Sequence, residues 1–141
     1  MKEVIQKTIT FPTETKYLEE LRHFVADVLA ETSMSQRQRA LLVLALDECV
    51  SSIIDYAEDV GYHSDITVTV DLDDVRFKAV VADSRTTFDT IKGKATQRGS
   101  TRFSKERRHK LRIFLLQSIV DEIHYSYQKG FENRLELLKF L

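Results

Sequence analysis

Two alternating runs of β-branched residues, with an acidic turn between them, constrain the fold of this chain more than any other feature of its sequence. The first run covers residues 66–70 and the second covers residues 75–81, while acidic residues dominate positions 71–74. A period of two places successive side chains on opposite faces of a strand. The pattern therefore predicts an antiparallel hairpin.

One strand and two amphipathic helices are predicted ahead of this hairpin. Residues 4–11 alternate between apolar and polar side chains, as a strand with one buried face does. Thr13 precedes a run in which apolar residues recur at spacings of three and four, and this run predicts a helix that ends near Glu31. Ser35 is a residue type that caps helices, and the same spacing continues from it to about Glu58. A second helix is expected over that range.

The pattern after the hairpin is interrupted by one long segment without periodicity. Residues 84–107 are rich in Gly, Ser, Thr and basic side chains, which is typical of a loop. A third helix is predicted over residues 108–120. Two further strands are expected at 122–127 and 134–140, joined by a turn at 129–130.

This order of elements predicts an α+β fold: a two-layer α/β sandwich whose mostly antiparallel sheet has helices on one face. The 141 residues, 43% of them apolar, suit a single domain spanning 1–141. The longest apolar stretch, residues 41–46, is too short to cross a bilayer, and the N-terminus lacks a signal-peptide pattern. A cytoplasmic location is expected. The single cysteine, Cys49, lies in an apolar helical pattern and is interpreted as core packing.

Charge is distributed unevenly along the sequence. The segment 92–112 contains nine Lys and Arg residues and one acid, Glu106, so it carries +8 and leaves −9 for the remainder of a chain whose net charge is −1. Such asymmetry is compatible with an acidic partner, a phosphate-bearing ligand, nucleic acid or simply a solvated loop. Four of its cations are candidate partner-binding residues: Arg102, Lys105, Arg107 and Arg108.

Five stretches of the sequence resemble one known superfamily. They are residues 46–57, 80–89, 111–116, 121–123 and 130–137, which together with the order of elements cover almost the whole chain. The sequence resembles the histidine-kinase-like ATPase superfamily, and within it the small serine kinases that act as anti-sigma factors in bacterial partner switching. The resemblance implies a histidine-kinase-like ATPase domain, and a homodimer is compatible with it.

The resemblance places a catalytic and a metal-binding position on the second helix. Glu48 stands where the family has the Glu that orients a hydroxyl or water for phosphoryl transfer. Ser52, one helical turn later, replaces the family's Asn, whose side-chain oxygen holds Mg²⁺. A serine hydroxyl is shorter and uncharged, so no metal ion is expected. The other interpretation of Glu48, Ser52 and Asp55 is the polar face of an amphipathic helix.

The family's nucleotide contacts are largely replaced as well. Asp83 matches the carboxylate that accepts a hydrogen bond from the adenine amino group, whereas the nearby family glycine is Arg85. At the start of the third helix, Lys110 and Arg112 replace the glycines whose bare amides would cradle phosphates. We expect Arg85 or Arg112 to fill the nucleotide's space, or to pair with a carboxylate among Glu48, Asp55 and Asp83.

From the resemblance and these replacements we expect that the nucleotide site is vestigial. The chain would then be a non-catalytic regulatory domain that binds another protein and needs no cofactor. The partner would be a sigma factor or an anti-sigma antagonist. The alternative is a divergent ATP-dependent serine kinase and anti-sigma factor with Glu48 as its base, in which side-chain cations such as Lys110 and Arg112 bind the phosphates of ATP with Mg²⁺. A nucleic-acid-binding module is disfavoured by a sequence pI near 6.4 and the lack of a recognised reading motif.

Overall fold

The computed structural model describes residues 4–61, 64–83, 111–128 and 132–141, which form a five-stranded antiparallel sheet and the helices packed on it. The elements are β1 (Ile5–Pro12), a 3₁₀ turn (Thr15–Tyr17), α1 (Leu18–Leu29), α2 (Gln36–Val60), β2 (Asp65–Leu72), β3 (Arg76–Asp83), α3 (residues 111–119), β4 (Glu122–Gln128) and β5 (Glu132–Phe140). The loop predicted over 84–107 and the turn predicted at 129–130 lie outside the described residues.

The sheet has the strand order β1-β2-β3-β5-β4, and every pairing between these described strands is antiparallel. The predicted hairpin is confirmed, with Val68 opposite Val81 in its register. Since β5 inserts between β3 and β4, the central strand β3 has a partner on each side. The α+β fold expected from the sequence is therefore present.

Helix α2 is fixed at both ends by local chemistry. The hydroxyl of Ser35 accepts a 3.1 Å hydrogen bond from the backbone N–H of Gln38, while the Gln38 side chain accepts one from the Ser35 N–H at 3.3 Å. This is the reciprocal capping box. The helix continues slightly beyond the predicted Glu58, to Val60, and it is followed by Gly61, whose φ of 71° is the left-handed conformation that ends helices.

Helix α1 begins later than the sequence pattern predicts. Thr13 donates its backbone N–H to the carbonyl of Ser64 at 3.0 Å, and its hydroxyl accepts the Ser64 N–H at 3.2 Å. These bonds hold Thr13 beside the start of β2, so the chain first makes the 3₁₀ turn and enters the regular helix at Leu18.

The core lies between the helices and one face of the sheet. Its members are apolar side chains from all three helices and from the strands, among them Leu21, Val25, Leu46, Val50, Ile54, Val68, Val70, Phe77, Val81, Leu116, Ile119 and Leu137. Alternate residues of β2 and β3 enter it, which is the consequence of the period of two. Burial of the core's apolar area is the main term that holds the two layers together.

Cys49 belongs to this core, with 3% of its surface exposed. Burial, with a smaller contribution from the neighbouring Glu48 carboxylate, raises the pKa of the Cys49 thiol from 9.0 to about 12. The thiol is therefore protonated at neutral pH, which supports its interpretation as a packing residue. Among the helices that the structure describes, none is both long and apolar enough to cross a membrane.

Candidate functional site

The candidate site begins with a row of three polar side chains on α2. Glu48, Ser52 and Asp55 follow one another at spacings of four and three, which places them on one face of the helix. All three are partly buried, whereas Cys49, Val50 and Ile54 on the opposite side face the core. The row spans about 10 Å along the helix axis, since each residue advances the helix by about 1.5 Å.

Arg112 of α3 bridges the two ends of this row. Its Nη2 donates a hydrogen bond to Oδ2 of Asp55 at 2.8 Å, and its Nε donates one to Oε2 of Glu48 at 3.2 Å. The Arg112 side chain is 22% exposed, so these contacts are partly shielded from water. A planar guanidinium with several N–H donors can serve two separated carboxylates at once, which a lysine ammonium does less well.

The bridge is also visible in the electrostatics of Arg112. Partial burial opposes the charged form, but the hydrogen bonds that Arg112 donates to Asp55 and Glu48, together with the negative charges of the two carboxylates, outweigh it and raise the pKa of Arg112 above its ordinary value. The guanidinium is therefore a fixed positive charge between two carboxylates. It holds the described part of α3 against α2, and it engages the carboxylate that would have to act as a base.

A second polar group lies at the end of β3. Asp83 is 4% exposed, and its Oδ1 accepts a 2.6 Å hydrogen bond from the hydroxyl of Ser64. Ser64 in turn bonds Thr13, which is 1% exposed. Thr13 and Asp83 are the buried polar residues of the described part of the chain, and Ser64 links them. The three side chains join the end of β1, the start of β2 and the end of β3.

The structure describes five of the polar residues singled out by the sequence: Glu48, Ser52, Asp55, Asp83 and Arg112. Pairing of Arg112 with a carboxylate was predicted, and Arg112 forms ion pairs with both Glu48 and Asp55. Ser52 lies between the two carboxylates along α2, while Asp83 belongs to the separate group at the strand ends. The other predicted positions lie outside the described residues: Arg85, Arg102, Lys105, Arg107, Arg108 and Lys110.

Sequence reasoning missed Ser64 and Thr13. Their only signal is position, because each is a polar residue two positions outside a predicted strand. The β1–β2 register sets Pro12 opposite Asp65, which brings the two residues together just beyond the ends of the strands. Within the described ranges, no group of three or more His, Cys, Asp or Glu side chains is placed to hold a metal ion.

Comparison with known proteins agrees with this architecture. A model of the family described as "Histidine kinase-like ATPase domain" matches residues 11–139. The fold is similar to a chain in the crystal structure of the SiaB-SiaC complex from Pseudomonas aeruginosa, with a TM-score of 0.70 and 16% sequence identity over 94% of this chain and 88% of that one. At that identity the likeness shows the fold. No curated protein matches the sequence.

Proposed function

This chain belongs to the histidine kinase-like ATPase domain family, and from that premise we propose that it is a non-catalytic regulatory domain that binds another protein and does not use ATP. A sigma factor or an anti-sigma antagonist is the proposed partner, following the resemblance to anti-sigma serine kinases. A cytoplasmic location and a homodimeric state belong to the same proposal. A fold can keep its binding surfaces after losing its chemistry.

The observation that carries the proposal is the Arg112 bridge to Glu48 and Asp55. A magnesium–nucleotide complex needs oxygen ligands on this helix face and a carboxylate that can act on a hydroxyl. Here one guanidinium already bonds both carboxylates, and Ser52 offers a short neutral hydroxyl between them. The residues present therefore do not fit Mg²⁺ and a triphosphate.

The burial and hydrogen bonding of Asp83 support the same conclusion. In the family this carboxylate accepts a hydrogen bond from the adenine amino group. Here its Oδ1 accepts a 2.6 Å hydrogen bond from the hydroxyl of Ser64. An incoming adenine would meet a buried carboxylate that already has one oxygen in a short hydrogen bond. Support for partner binding comes from the similar solved fold, which was determined as a complex of two proteins.

The alternative function is a divergent serine kinase with Glu48 as its base. One observation favours it: the Glu48 side chain keeps 28% exposure, and its 3.2 Å bond to Arg112 is longer than the 2.8 Å bond to Asp55. In this alternative, Arg112 would release Glu48 and turn toward a phosphate. The Glu48→Gln variant separates the two functions, because it abolishes phosphoryl transfer by a kinase but leaves a non-catalytic complex intact.

The test of the proposal uses candidate sigma factors and antagonist domains encoded in the same genome. Size-exclusion chromatography with light scattering should find a complex that forms equally with and without ATP and Mg²⁺, for the wild type and for Glu48→Gln. Mass spectrometry of the partner after incubation with ATP should find no added phosphate. A complex that requires ATP, or a phosphorylated partner that disappears with Glu48→Gln, would establish the kinase instead.

A further inference from the structure

We draw no further inference here: the strongest candidate, the outward apolar face of α3 on which Leu111 and Phe114 are 63% and 70% exposed, is an unpartnered helix face, and nothing in the described part of the chain shows what covers it.

Discussion

Arg112 donates a hydrogen bond to Glu48, a residue 64 positions earlier in the chain, and so connects α3 to the middle of α2. Arg112 donates a second hydrogen bond to Asp55, which lies on α2 about one helical turn after Ser52, so both bonds connect the same two helices. The bridge has both a structural consequence and a functional one. It should stabilise the packing of α3, and it should keep the family's catalytic carboxylate engaged.

Replacing Arg112 with Ala should therefore destabilise the fold, by about 1–2 kcal/mol, because two partly buried carboxylates lose their charged donor. Urea unfolding followed by circular dichroism measures the change. The matched control is Arg22→Ala, which removes an inter-helix pair with Asp47 of the same 2.8 Å length. Since Arg22 is 46% exposed, its loss should cost about 0–1 kcal/mol. Equal losses for the two variants would contradict a special role for Arg112.

Lysine should not rescue the bridge. Two different nitrogens of Arg112, Nε and Nη2, bond the two carboxylates, whereas lysine offers a single nitrogen, so Arg112→Lys should lose most of the stability that Arg112→Ala loses. The same urea experiment compares them. Full stability in the lysine variant would show that one of the two contacts is sufficient.

The β strands and helix caps were predictable because they depend on neighbours in sequence. The alternation over residues 66–70 and the cap at Ser35 can each be recognised from a few consecutive residues, and both are found in the structure. The Arg112 pairing was also predictable, because helical spacing put Glu48 and Asp55 on one face and a partly buried carboxylate favours a cation. In contrast, the group at Thr13, Ser64 and Asp83 depends on how distant strands align, which no local pattern specifies.

Ser64→Ala should destabilise the fold by about 1–3 kcal/mol, because the Asp83 carboxylate loses a short hydrogen bond in a buried position. A double-mutant cycle with Asp83→Asn measures the coupling between the two side chains, which should be at least about 0.5 kcal/mol. The control is Thr8→Ala, which removes an exposed Thr–Thr contact between β1 and β2 and should change stability by less. Additive effects of Ser64→Ala and Asp83→Asn would show that the bond has no energetic weight.

Cys49 should be unreactive in the folded protein. Folding raises its thiol pKa from 9.0 to about 12, so the folded state favours the protonated thiol. The resulting stability is complete below about pH 9 and is lost as the pH rises toward 12. Iodoacetamide labelling at pH 8 should be slow, and it should reach the rate of a free thiol only in urea. Rapid labelling without denaturant would contradict the burial of this residue.

The basic residues between positions 92 and 112 should contribute to association with the protein partner and little to the stability of the fold. Changing Arg102, Lys105, Arg107 and Arg108 to Ser should shift the free energy of unfolding only slightly, since exposed charge contacts contribute about 0–1 kcal/mol each. Association with the protein partner should become slower and less dependent on salt. Surface plasmon resonance from low to high salt measures the association rate. A variant that unfolds would instead place these side chains in the architecture of the domain.

The central claim is that the carboxylates engaged by Arg112 and Ser64 no longer receive a nucleotide. Titration of the purified protein with ATP and Mg²⁺ in a calorimeter, with melting temperature as a second readout, tests it most directly. A ligand present at 100 times its Kd would add about 2.7 kcal/mol to stability and raise the melting temperature clearly. The account predicts no heat of binding at micromolar concentrations and an unchanged melting temperature in millimolar ATP. Saturable binding with micromolar affinity, accompanied by an upward shift in melting temperature, would contradict it.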